Sequence, residues 1–236
     1  MSDSLLVTAR LASPLAGDPP HLDGLLESVL SLHHAKGDPG YKIDRNRPAP
    51  PQAAIPIPIA RRTVEQGGPD GEVREWVVGC CSSPILGTVL SESVEYVAKR
   101  IAVEHSGWLA PDSRLVVSTT NSWTKSYRLP LRVRVVDRVA WFTVGDRQSV
   151  RRTLKKVRWI GKKVSIGYGR VVEWTVERTD ADYSWFAPSD HGPVLMRPLP
   201  VTDAWPPGLL GVRRDFGACC PPYWHPERYT EILIPC

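Results

Sequence analysis

Ile160-Gly161-Lys162-Lys163-Val164-Ser165-Ile166-Gly167-Tyr168-Gly169-Arg170 joins an expected basic helix, Arg147–Trp159, to an expected strand, Val171–Val176. From Arg147 to Arg170 there are nine Lys or Arg residues and no Asp or Glu. Gly161, Gly167 and Gly169 permit positive φ and let a ligand approach the backbone closely. The loop therefore gathers backbone N–H groups, fixed positive charge and the Tyr168 ring at one spot. Nucleic-acid phosphates are the natural partner of such a surface. A dinucleotide fingerprint and a P-loop are both excluded, because each places its glycines between a strand and the helix that follows, and here that order is reversed. The blander reading of the same residues is a helix-to-strand turn with a solvated basic face.

Working outward, Asp146 is placed to cap the basic helix, and Val150, Leu154, Val157 and Ile160 form its buried stripe. Arg151, Arg152, Lys155 and Lys156 lie on the other faces. Arg138–Val144 reads as a strand, as do Tyr127–Val136, Leu115–Thr119, Glu75–Ser82 and Leu5–Leu11. Apolar residues at 22, 25, 26, 29, 30 and 32 give an amphipathic helix ending near Gly37. Val94, Val97, Ile101 and Val103 suggest a further helix over Ser91–His105. Pro48 to Pro58 is an extended proline-rich segment, fit for an edge strand or a packed arm and not for a central strand.

Stripped of insertions, the order is strand, helix, strand, strand, helix, strand. That is an α+β, ferredoxin-like (RRM-like) βαββαβ arrangement, an antiparallel sheet with two helices on one face. Residues 1–179 form this domain, and 83–135 project from it as a thumb-like insertion. Residues 180–236, with ten prolines in the last 57 residues, form a Pro-rich C-terminal region of short strands and loops packed on the core.

Composition narrows the function classes. The 236 residues are 42% hydrophobic and 23% charged, with a net charge of +5. Those are globular values, and the basic block alone holds nine of the thirty Lys and Arg. No apolar run reaches the roughly 18 residues of a membrane span, and the N-terminus lacks the positive region of a signal peptide. Five cysteines without C-x-x-C spacing argue against a secreted disulfide framework and for a cytoplasmic location. Two Cys pairs and His225 lack the spacing of a zinc site. No cofactor is implied.

The loop pattern Gly-Lys-Lys-x-Ser-x-Gly-Tyr-Gly-Arg-Val, between the last helix and last strand, resembles that of the RAMP superfamily of CRISPR proteins. Three further pieces resemble the small RAMP subunit of type IV CRISPR effectors, a relative of the fifth Cas family. They are His21-Leu22-Asp23-Gly24-Leu25-Leu26, the Ile-Pro-Ile-Pro-Ile segment ending at Ile59, and Phe142-Thr143-Val144-Gly145-Asp146. The resemblance spans residues 5–178. It implies a non-catalytic RNA-binding subunit that grips the 5′ handle of the CRISPR RNA and caps the backbone filament. Such a subunit sits beside the backbone subunit and the large-subunit-like protein, and helps engage the duplex flanking a DNA target. On that basis Lys162, Lys163, Gly167, Tyr168, Gly169 and Arg170 contact handle RNA, and Arg151, Arg152, Lys155 and Arg158 extend the contact.

A second candidate surface is Ser118–Arg134, which carries Trp123, Lys125, Tyr127, Arg128, Arg132 and Arg134 and no acidic residue. Aromatic rings interleaved with cations suit splayed single-stranded bases. Such charges also serve a solvent-facing edge strand by discouraging aggregation. A third is His33-His34 with Tyr41 and Lys42, a set able to supply base, acid and cation for metal-independent RNA cleavage. The alternative function is accordingly an endoribonuclease processing repeat RNA, although a helix-terminal His pair has a simpler electrostatic explanation. His21, after Pro-Pro and before a helix, reads as structural. Asp23, Glu27, Asp137 and Asp146 show no paired spacing for a two-metal nuclease. A protein-interaction module with a basic docking face is the remaining class.

Overall fold

Period-two alternation decides the central sheet. The first strand buries Leu5, Val7 and Ala9, and the strand leading to the basic helix buries Val139, Trp141 and Thr143; both patterns put one face on a core. The computed structural model describes residues 2–37, 56–68, 71–99 and 125–235, with side chains outside 32–37. In chain order its elements are β1 (Asp3–Leu11), β2 (Leu15–Ala16), α1 (Leu22–Gly37), β3 (Arg61–Gly67), β4 (Val73–Gly79), β5 (Ile85–Leu86), β6 (Val89–Lys99), β7 (Tyr127–Val136), β8 (Arg138–Gly145), α2 (Arg147–Leu154) and β9 (Val171–Arg178). The C-terminal part adds β10 (Phe186–Ala187), β11 (Val194–Leu195), β12 (Leu199–Pro200), β13 (Val212–Ala218) and β14 (Tyr229–Pro235).

The protein is an α+β molecule built mostly of antiparallel strands. Its four-stranded sheet has the order β5-β8-β1-β9, antiparallel throughout. On one face, Leu22 and Leu26 of α1 and Val150 and Leu154 of α2 pack onto Leu5, Val7, Trp141 and Val176. A second core lies between the β3–β4 hairpin and the C-terminal region, where Trp76, Val78 and Cys80 meet Trp185, Leu199, Cys219 and Ile232. Tyr183 closes edge-on against Phe142, on the face of the sheet away from the helices. A third sheet, β2-β7-β6, is a long two-stranded ribbon anchored by Leu15 and Ala16.

Three expectations are corrected. Ser91–Lys99 is strand, not helix: Val94 pairs with Arg132 and Val97 with Leu129 in β7. Helical spacing there is overridden by β-branched and aromatic residues that find a partner strand; 100–105 lie outside the described residues, as does the strand expected at 115–119. The strand expected over Glu75–Ser82 is β4, and it pairs with β3 as a separate hairpin. Only Cys81 bridges to Thr143, and β5 takes the place beside β8. That puts a sheet strand inside the segment expected to be a projecting insertion. The basic helix is also shorter. After Leu154 the amides of Lys156 and Val157 bond three residues back, to Thr153 and Leu154, and tighten the chain out of the α-helix. The Asp146 cap forms as expected, its Oδ1 accepting from the Ser149 amide at 2.8 Å.

Candidate nucleic-acid interface

Once the chain leaves α2 it has no helical ladder, so its backbone groups need other partners. It finds them on the segment between β1 and β2 and at β2's end. The Gly169 amide donates to Pro14 O at 2.8 Å, the Lys162 amide to Ala16 O at 2.8 Å, and the Arg170 amide to Ser13 Oγ at 2.9 Å. Within the loop, Ile160 donates to Gly169 O, Ile166 to Lys163 O and Gly167 to Val164 O. Glycine is required at Gly169, where φ is +66° and a Cβ would be driven into the Ile160 carbonyl. Lys163 takes the left-handed region at φ 57° without being glycine.

This wiring alters the expected chemistry. The amides of Lys162, Ile166, Gly167, Gly169 and Arg170 already serve internal acceptors, so they form no phosphate cradle. Charge remains available on side chains: Arg151, Arg152, Lys155, Arg158, Lys162 and Arg170 are exposed. The stem of Lys162 lies across Gly17, where a Cβ would come within 2.8 Å of Lys162 Cδ. Trp159 and Arg170 form an antiparallel bridge, and the Val171 amide bonds Arg158 O, which brings the backbones of the two arginines together where the loop returns to the sheet.

The ribbon divides its candidate residues between two faces. Tyr127, Leu131 and Val133 face the loop; Tyr168 packs on Leu131, Val133 and Ala16, and its hydroxyl donates to Glu95. Lys163 Nζ stands 5.9 Å from the Tyr127 ring centroid. Tyr168 is thus a half-buried anchor between loop and ribbon, where the sequence suggested a free stacking ring. On the opposite face, Arg128 covers Tyr96 at 4.2 Å, and Arg132 pairs with Glu92 at 3.3 Å. Arg134 is buried and bonds Asp18 Oδ1 and Glu92 Oε2, each at 3.1 Å. The alternation that puts Arg132 and Arg134 on one face is present, yet carboxylates from outside the segment neutralise them. Lys125 is exposed. Trp123, Tyr41 and Lys42 lie outside the described residues, as do the side chains of His33 and His34.

Residues 94–235 match the family model of CRISPR type IV associated protein Csf3. The chain belongs to that family. The match spans most of the β6–β7 ribbon, α2, the basic loop and the C-terminal region, and leaves β1 and α1 outside. Csf3 membership therefore rests on the interface and the proline-rich part as well as on the loop. No curated protein matches the chain. Among the described residues no helix is long and apolar enough to cross a membrane, and no group of three or more His, Cys, Asp or Glu is placed to hold a metal ion. Cys80, Cys81, Cys219 and Cys220 are buried free thiols; burial, with Asp23 nearby, pushes Cys81 up to about 12.

A polar knot escaped the sequence reading. Arg197, fully buried, donates through Nη1 to Gly79 O at 2.6 Å, Cys81 O at 3.1 Å and Asp23 Oδ2 at 3.2 Å. Its Nη2 donates to Cys219 O at 2.8 Å and Tyr223 Oη at 2.9 Å, and the Tyr223 hydroxyl donates to Asp23 Oδ1 at 2.7 Å. Burial opposes the Asp23 charge, but Arg197, His21 and the Tyr223 hydroxyl outweigh it and hold the carboxyl below its usual range. Burial, then Arg197, pushes His21 down to about 4, so its imidazole is neutral and stacks on Tyr223 with centroids 5.0 Å apart. The His-Leu-Asp-Gly motif is thus a structural tie between α1, β4 and the C-terminal region. Its only signal in the sequence was an acid placed amid apolar helix positions.

Proposed function

We propose that this Csf3-family protein is a non-catalytic RNA-binding subunit of a type IV CRISPR ribonucleoprotein, gripping the 5′ handle of the CRISPR RNA and capping the backbone filament. The observation that carries the reading is the exposed charge of Arg158, Lys162 and Arg170, on a loop whose Lys162, Gly169 and Arg170 amides are bonded to residues 13–16. A rigid mount of this kind limits the ordering cost of binding a flexible polyanion. Binding is then by side-chain charge on a preorganised loop, with Arg151 and Arg152 of α2 and Lys155 at its C-terminal cap extending the track. Support for the RAMP, ferredoxin-like assignment comes from the order β5-β8-β1-β9 with α1 and α2 on one face, which is what a βαββαβ unit generates. In this reading residues 1–179 are that domain and 180–236 its C-terminal extension. The partners are the handle RNA, the backbone subunit and the large-subunit-like protein, and the setting is the cytoplasm. The Arg128–Tyr96 face of the ribbon is left for a neighbouring subunit or the duplex flanking a DNA target.

The test is to co-express the protein with its neighbouring genes and a repeat array, and to sequence the RNA that purifies with it. A uniform 5′ end inside the repeat is expected; featureless RNA, or none, overturns the assignment. In a salt titration with that RNA, six neutralised phosphates give a log–log slope of about −4. Lys162→Ala with Lys163→Ala should make the slope shallower by about 1.4, and an unchanged slope would remove the loop from the phosphate site.

A further inference from the structure

Beside the basic loop, where α1 begins, lies a cleft of about 680 Å³, within the size range of sites for small organic ligands. His21 and Tyr223 lie on one side, and Trp159 and Gly161 on the loop side; Trp224, after the Pro221–Pro222 pair, completes it. Trp159 is 38% exposed and Trp224 62% exposed. Large indole faces left open beside a cation-rich loop are what a flat, apolar-faced ligand would cover.

We propose that this cleft takes one unstacked nucleobase of the RNA whose phosphates the loop binds. The inference rests on the RNA-binding reading above and adds the place where a base is held. Three observations favour a base over other occupants. The cleft borders the basic loop, since Gly161 lines it and precedes Lys162, and Trp159, also in the lining, bridges to Arg170. A strand laid on those cations has its bases within reach of the indoles. Among the described residues the lining offers a phosphate no cation: His21 is neutral, and the acid there is Glu27, which also pairs with Arg61 at 3.5 Å. That carboxylate can accept from an amino or imino group on a base edge. The remaining lining is prolines, serines, glycines, two aliphatic side chains and aromatic rings, and the rings supply a sequence-tolerant stacking platform.

The test uses the full chain and two end-labelled probes read by fluorescence anisotropy: an octamer of riboadenylate, and an octamer with the same ribose-phosphate backbone but no bases. The adenylate probe should bind at least about tenfold more tightly. Trp224→Ala should weaken it by about tenfold, leave the abasic probe unchanged and leave the salt slope unchanged, with Trp224→Phe recovering most of the loss. Trp224 is largely exposed, so its loss should not unfold the protein, and an unchanged melting temperature verifies that. Trp159→Ala gives the same discrimination from the opposite wall. Equal affinity for the two probes, or tryptophan variants that bind adenylate like the parent, overturns the base pocket. If the loop variants still weaken both probes in that case, RNA binding stands and the cleft belongs to a protein segment. Failure to bind either probe overturns both readings together.

Discussion

Replacing Asp23 by Asn keeps the volume of the buried knot and removes one charge. Arg197 is then left fully buried with four carbonyls and the Tyr223 oxygen but no counter-ion. At 3.2 Å and an effective dielectric of about 20, the lost attraction is roughly 5 kcal/mol. The surviving hydrogen bonds offset part of that, and stranded buried charges cost about 3–5 kcal/mol. For a chain of this size the melting temperature should fall by roughly 6–20 °C. Urea unfolding followed by tryptophan fluorescence reads the change directly, since Trp76 and Trp185 are buried in the core that the knot closes. Arg197→Met should cost a similar amount, because it strands the Asp23 carboxylate and takes a donor from four carbonyls. The double variant Asp23→Leu with Arg197→Met should recover part of the loss, because both charges go together. A loss below about 1 kcal/mol for Asp23→Asn, at an unchanged urea m-value, would refute the view that an ion pair ties α1 to the C-terminal region.

His21 makes stability fall in mild acid. The unfolded residue takes its proton near 6.5 and the native one near 4, so between those pH values the unfolded state binds more protons. Stability should drop by up to about 1.4 kcal/mol per pH unit on acidification across that window, and His21→Gln should flatten the curve in denaturation at pH 7, 5.5 and 4.5. Asp23, held below 3.8, keeps its contribution above that pH and loses it only in stronger acid. Gly169→Ala should cost at least about 2 kcal/mol more than Gly167→Ala in urea melts: both have positive φ, but only the first meets backbone, while Gly167 has open space around it. Arg134→Gln should lower stability by about 1–3 kcal/mol with little change in the salt slope of RNA binding, whereas Arg132→Gln, on an exposed pair, should change stability by less than about 1 kcal/mol in thermal melts.

Local rules determined much of this protein from sequence. Val150 and Leu154 are buried as their helical spacing implied, Val157 and Ile160 are buried beyond the end of the helix, and Asp146 caps α2. β1 and β8 follow their alternation, and α1 ends at Gly37. These features depend on neighbours within a turn or two of chain, so their residues carry the signal. The basic loop was likewise legible as a concentration of charge. Tertiary structure decided what distance along the chain conceals. Ser91–Lys99 became strand because β7, some thirty residues on, supplied a ladder. Arg134 lost its free charge to Asp18, 116 positions away, and the knot joins Asp23 to residues 174 and 200 positions later. The loop amides were spent on Pro14 and Ala16, which left side chains to do the binding. Periodicity specifies which face of an element is buried; whether a charge is free or neutralised, and whether an amide is open or bonded, depends on which remote residue the fold brings opposite it.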